Sequence, residues 1–221
     1  VMGYHDRPAA ISPFLLLDHA GPRDFEPTDA RRGVDWHPHR GFETVTVVYD
    51  GSVEHADSTG SSGRIGPDEV QWMTAGRGVL HTELHGRDFA ARGGRFEVLQ
   101  LWVNLPARHK LAPPRYQTLT ATDIPVVALP GNAGRVRVIA GSYAGVAGAA
   151  RTFTPIDLLD LRLAAGHRVT LPLADGWTAL LQVVRGEVTV NGRAAAAGDL
   201  VALDRNGSGA EVVASSDAAV F

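Results

Sequence analysis

Two short stretches of the chain hold side chains whose types and spacing could do chemistry together. His37-Pro38-His39 is an H-x-H pair, and His81-Thr82-Glu83 is an H-x-E pair. In an extended strand, residues two apart project to the same face, roughly 7 Å apart along the chain. On neighbouring strands the two pairs would aim three imidazoles and one carboxylate at a single point. Neutral imidazole and carboxylate suit borderline divalent cations, and with no cysteine in the chain no thiolate competes. Other chemistries lack their signatures. H-E-x-x-H is absent, Gly76-Arg77-Gly78 lacks the third glycine and the following helix of a dinucleotide fingerprint, and there is no G-x-S-x-G elbow.

The elements that must position these residues read as strands. Thr44 to Tyr49 is β-branched and half-alternating, and Asp50-Gly51 predicts a two-residue hairpin turn returning along Ser52 to Asp57. A Ser/Gly stretch from Ser58 to Gly63 predicts a loop, and Gly66-Pro67-Asp68 a turn. Strands follow at Glu69 to Thr74, Val79 to His85 and Phe96 to Leu105, so this half is expected to be a β-meander that closes or stacks to hide its edges. After Ala112-Pro113-Pro114 the pattern restarts, with Asn191-Gly192 as a second hairpin turn.

The halves look like copies. Tyr49-Asp50-Gly51-Ser52-Val53 matches Val184-Arg185-Gly186-Glu187-Val188 at an offset of 135, and Gly66-Pro67-Asp68-Glu69-Val70 matches Ala197-Gly198-Asp199-Leu200-Val201 at 131. At those offsets the four candidate ligands fall on Pro172, Ala174, Val212 and Ala214, so the second copy is expected to hold no metal. The division is expected as residues 1–115 and 116–221.

Composition narrows the class. A chain of 221 residues with 44% hydrophobic residues can bury one large or two modest cores, and 25 glycines with 13 prolines favour an all-β protein. The net charge is −3 with no run of Lys or Arg, which argues against direct nucleic-acid binding. No stretch approaches 18 uninterrupted apolar residues, so no membrane helix is expected. The absence of cysteine excludes disulfides and fits a cytoplasmic protein. The sequence opens on Val1 and stops at Phe221 within a strand-like run, so it is expected to be a fragment at both ends, and a monomer is the default.

At the chemistry-bearing residues the sequence resembles a known family. The stretch from His37 to Val45, the stretch from Gln71 to Glu83, Leu99 to Asn104, Pro13 to Asp18 and Arg151 to Asp157 are similar to the pirins, which are bicupins. The resemblance implies two cupin-type β-barrels in tandem, with the N-terminal barrel holding one mononuclear divalent metal on His37, His39, His81 and Glu83. It implies iron, with manganese, cobalt, nickel, copper and zinc all compatible with the donor set. Two rivals for a ligand place are Glu43, which has the parity of His37 and His39 and is expected beyond the ligands, and His85, which has that of His81 and Glu83. Three neutral imidazoles and one carboxylate leave a divalent ion with a charge of about +1, favouring an anionic oxygen ligand. The implied activity is that of a quercetin 2,3-dioxygenase acting on a flavonol-like aromatic enol, with Glu83 as catalytic base. The alternative is a metal- or redox-dependent regulator that binds a protein partner without turnover.

The other conspicuous residues read as structural. Trp72, Trp102 and Trp177 are expected in the core or a pocket wall. His55 is expected to bond a turn, and His5, His19 and His109 to sit at the surface or in turns. Arg40 is expected either to orient an anionic substrate or to pair with a carboxylate.

Overall fold

The computed structural model describes residues 2–3 and 11–221, so His5 lies outside the described residues. The described chain is nearly all strand and divides into two compact units, one running from Met2 to Asp123 and the other from Ile124 to Phe221. The first contains β1 (Met2–Gly3), β2 (Phe14–Phe25), β3 (Gly33–His39), β4 (Phe42–Asp50), β5 (Val53–Asp57), β6 (Ser62–Ile65), β7 (Val70–Thr74), β8 (Val79–His85), helix α1 (Arg87–Arg92), β9 (Gly94–Asn104) and β10 (Arg115–Leu119). β10 begins where the boundary at 115 was expected, yet its whole length pairs with β7 of the first unit.

The first unit is two facing sheets, ordered β1-β2-β9-β4-β7-β10 and β3-β8-β5-β6. It is not a simple meander. β4 pairs with β7 and β9, whereas β5 pairs with β6 and β8, so Asp50-Gly51 is no hairpin turn. Only Gly51 takes positive φ there, at 85°, and it carries the chain from one sheet to the other. A side chain on Gly51 would begin 2.7 Å from the Phe96 ring, so glycine is required by conformation and by space. Ser62 and Gly63, expected in a loop, are the first residues of β6.

The second unit contains β11 (Val126–Leu129), β12 (Gly134–Ala140), β13 (Ser142–Tyr143), β14 (Val146–Ala147), β15 (Leu158–Leu163), β16 (Arg168–Pro172), β17 (Leu180–Arg185), β18 (Glu187–Val190), β19 (Arg193–Ala196), β20 (Leu200–Ala202), β21 (Gly209–Ala214) and β22 (Ala218–Val220). Its sheets run β11-β12-β15-β22-β17-β20 and β16-β21-β18-β19, with β13-β14 a small ribbon. Equating β2, β9, β4 and β7 with β15, β22, β17 and β20 gives one strand order in both units, and β3-β8-β5-β6 matches β16-β21-β18-β19. The repeat legible in the sequence is therefore a repeat of topology. Asn191-Gly192 is the hairpin turn expected of it, joining paired strands with φ of 48° and 78°.

The interiors differ. The second unit is filled by one continuous aliphatic cluster that includes Val138, Leu161, Leu171, Val183, Ala210 and Val212. In the first, Val48, Val53, Ile65, Phe89, Phe96 and Val98 form one apolar group, and Met73, Ala75 and Val79 another. Along the inward side of β8, Val79 belongs to one group and His85 packs on rings of the other, so His81 and Glu83 lie in the polar stretch between. Among the described residues, no helix is long and apolar enough to cross a membrane.

Candidate metal centre

The site is built where β3 meets β8. His37 pairs directly with His81 across this ladder, and His39 with Val79. β3 is an edge strand, the one place where Pro38 can sit without removing a ladder hydrogen bond from a sheet interior. The register slips between Val34 and His37, so β3 carries one residue more than β8 over that span. Bulges of this kind re-aim the side chains beside them.

The three imidazoles converge. Their ring centroids lie 4.7 Å (His37–His39), 4.4 Å (His37–His81) and 4.8 Å (His39–His81) apart. One ligating nitrogen from each can be chosen so that all lie within 4.8 Å of one another. Nδ1 of His37 is 2.7 Å from the Asp35 carbonyl, which makes it the N–H donor and leaves Nε2 as the free lone pair. His39 packs edge-on against Phe42 at 5.0 Å and Trp102 at 5.1 Å. Nε2 of His39 and both nitrogens of His81 are buried without a hydrogen-bond partner. Such orphans cost about 1–3 kcal/mol each unless something binds them, and a cation meets that need. Burial, reinforced by the neighbouring imidazoles, lowers the pKa of His39 to about 3. Burial and His37 lower that of His81 to about 4. Both rings are therefore neutral near pH 7, the form a metal takes.

Glu83 is held from the opposite sheet. Thr46 Oγ1 donates to its Oε1 at 3.0 Å, and Gln100 Nε2 donates to its Oε2 at 2.8 Å. That leaves Oε2 3.8 Å from His81 Nε2. Thr46 and Gln100 escape notice in the sequence, because neither type signals a site and only the pairing of β4 with β9 brings them together.

The rivals are placed elsewhere. Glu43 does not face the imidazoles. The chain changes sheets at Gly41, where φ is 79°, so parity counted from His39 does not carry into β4. Phe42 takes the face toward His39, and Glu43 turns to the other, where Thr74 Oγ1 donates to it at 2.7 Å. Burial raises its pKa, opposed by that bond. His85 keeps the parity of His81 but lies farther along β8, stacked on Phe96 at 4.3 Å and edge-on to Phe25 and Phe89.

Several structural readings also change. His55 sits within β5 rather than in a turn; it is buried and stacked on Tyr116 at 4.8 Å. It is the ladder partner of Glu83, and Gly63 leaves room for it, since a Cβ there would lie 2.6 Å from His55 Nε2. His19 is mostly buried and bonds the buried Glu97 at 3.1 Å. Arg40 is exposed and forms no ion pair among the described residues. Trp72 is in the core and Trp102 walls the site, but Trp177 is 46% exposed.

Two barrels with one strand order, the first carrying an imidazole trio able to hold a metal ion, define a bicupin. Comparison with known proteins agrees. The family model described as Pirin matches residues 1–103, and that described as Pirin C-terminal cupin domain matches residues 158–221. The chain belongs to the pirin family. It is 53% identical over 207 residues to a Pseudomonas aeruginosa protein named "Putative quercetin 2,3-dioxygenase", covering 94% of this chain and 72% of that one. It is 38% identical over 182 residues to human Pirin, covering 81% of this chain and 58% of that one. A crystal structure of a quercetin 2,3-dioxygenase from Acinetobacter baumannii superposes with a TM-score of 0.96 at 46% identity, over 100% of this chain and 77% of that one. The chain spans less than two thirds of the length of human Pirin and of several other curated relatives it matches.

Proposed function

We propose that this protein is a metal-dependent dioxygenase of the quercetin 2,3-dioxygenase type, acting on a flavonol-like enol. One observation carries the reading: a carboxylate fixed by two donors lies 3.8 Å from an imidazole nitrogen of a three-histidine cluster whose buried nitrogens lack partners. His37, His39, His81 and Glu83 would hold the ion, with iron as the preferred metal. When bound, such an ion supplies a Lewis acid with open positions for an anionic oxygen ligand and dioxygen. The chain's own residues do the rest. Thr46 and Gln100 fix the Glu83 carboxylate as the group that would accept the enol proton. Phe42 and Trp102 give an aromatic wall beside His39 against which a planar substrate can lie.

Elemental analysis of protein purified without added metal, followed by quercetin turnover under oxygen, tests the reading. Loss of flavonol absorbance with release of carbon monoxide is expected, and Glu83→Gln is expected to lower turnover at least tenfold. Unchanged absorbance across the metals named above rejects the enzyme.

A second reading, a metal-dependent regulator that binds a protein, is favoured by Trp36 and Leu80. They are 55% and 48% exposed and directly precede the ligands His37 and His81. Binding to a purified partner that is unaffected by His37→Ala would remove the metal from that mechanism.

A further inference from the structure

The proposed ligands leave a second set of buried polar groups unexplained. Asp57 lies directly opposite His81 in the β5–β8 ladder, on the inward face of β5, and is buried. Side chains so paired start about 4.5–5.5 Å apart at Cβ. Its two oxygens have unequal surroundings. Oδ1 accepts from Thr59 N and Thr59 Oγ1 at 2.8 Å each and from Ser61 N at 2.9 Å, which ties the carboxylate to the β5–β6 turn. Oδ2 is buried without a donor at full hydrogen-bond geometry, the Tyr116 hydroxyl being the group that leans on the carboxylate.

His81 presents the complementary problem. Nε2 is the nitrogen on the Glu83 side. If Nε2 takes a metal, Nδ1 must carry the proton, and a buried N–H needs an acceptor. Nδ1 has none among its hydrogen-bonded neighbours. The Asp57 charge is felt by the His81 ring, and also by the buried Tyr116 hydroxyl, whose pKa is raised by burial first and then by Asp57. Tyr116 itself stacks on His55, the next inward residue of β5. Glu83 does not serve as the acceptor, since its Oε2 lies on the Nε2 side of the ring.

We infer that Asp57 is a positioning residue of the metal centre, its Oδ2 accepting the Nδ1–H of His81 so that Nε2 is presented to the ion. This rests on the metal reading above. Two of the three bonds to Oδ1 come from backbone N–H groups of the β5–β6 turn, so the carboxylate keeps its direction with or without the Thr59 hydroxyl.

Asp57→Asn tests it, because the amide oxygen can keep all three turn bonds while an NH2 replaces Oδ2 and cannot accept from His81. Metal affinity, measured by chelator competition with cobalt(II) or iron(II), is expected to fall 10- to 100-fold. The melting temperature of the metal-free protein should stay near wild type, and the 15N shifts of His81 should show a loss of the Nδ1–H tautomer. Thr59→Ala is the control. It weakens the turn without touching Oδ2, and should leave metal affinity within twofold. Asp57→Asn binding metal within twofold of wild type overturns the inference while leaving the metal site standing. A Thr59→Ala loss equal to that of Asp57→Asn overturns it too, by assigning the effect to the turn. Wild-type protein that takes up no metal would sink both.

Discussion

The two barrels are built from one strand order and filled in opposite ways. Anchored on the sheet crossings at Gly51 and Gly186, where Val53 pairs with His85 and Val188 with Ala214, the places of His81 and Glu83 fall on Ala210 and Val212. The partner of His81 is His37, and the partner of Ala210 is Leu171. Leu171, Ala210 and Val212 are all buried in the aliphatic core of the second unit. The ladders place these equivalents two residues from the Val212 and Ala214 read off sequence offsets, and a slip of two keeps the same face. The fold thus asks only that these inward positions be filled. Aliphatic side chains fill them with packing, while imidazoles and a carboxylate fill them with groups that are costly until something binds.

The contrast can be broken from either side. The largest effect is expected from putting a site-like group into the second barrel. Val212→Asp would bury a carboxylate among Val138, Leu171 and Val183 with no donor designed for it, costing on the order of 4 kcal/mol. Urea denaturation of the metal-free protein reads this directly. A loss below about 1 kcal/mol would mean that the second interior tolerates polar groups as the first does. Next comes His39→Ala. Removing one of three converging imidazoles should weaken metal binding by at least ~100-fold, more than loss of a supporting residue does. Metal-free stability should change little, because the deleted nitrogen is itself an orphan. Calorimetric titration and denaturation on the same sample separate the two quantities. Glu83→Gln is smaller again, about 10-fold in metal affinity, or about 1.4 kcal/mol. It keeps the shape and one acceptor oxygen but sets an amide against the Gln100 amide or the Thr46 hydroxyl. Equal metal affinity in the Gln variant would remove Glu83 from the ligand set.

What the sequence revealed follows the same logic. Alternation reports which residues share a face within one strand, so H-x-H, H-x-E and the apolar second copy were all legible. Alternation says nothing across a change of sheet. Glu43 therefore shares the parity of His37 and His39 yet faces away, because Gly41 resets the phase, and Asp50-Gly51 has the composition of a hairpin turn yet joins two sheets. Nor does it report depth along a strand, which is why His85 shared the parity of His81 yet sits among phenylalanines. Asp57, His55, Thr46 and Gln100 were invisible as site residues for a third reason. Their roles come from ladder partners far away in the chain, and no local pattern marks them.

The smallest expected effect concerns the turn that the two copies build differently. In the second unit β18 and β19 are joined by Asn191-Gly192 alone, whereas in the first the chain between β5 and β6 runs from Ser58 to Ser61. Two extra turn residues and two extra residues of β5 beyond Val53 together account for the shorter offset after the turn, and the added length of β5 sets Asp57 opposite His81. The shorter turn carries no chemistry, so only its conformation matters. Asn191 sits at a φ of 48°, and its Oδ1 accepts from Glu211 N at 2.9 Å. Asn191→Ala would force a Cβ-bearing residue to hold that geometry without the side-chain bond, at a cost of about 1 kcal/mol. Asn191→Gly, which takes positive φ freely, should differ from wild type by only a few tenths. Both should bind metal as wild type does. A change in metal affinity from either would show that the second barrel is not the inert copy its core implies.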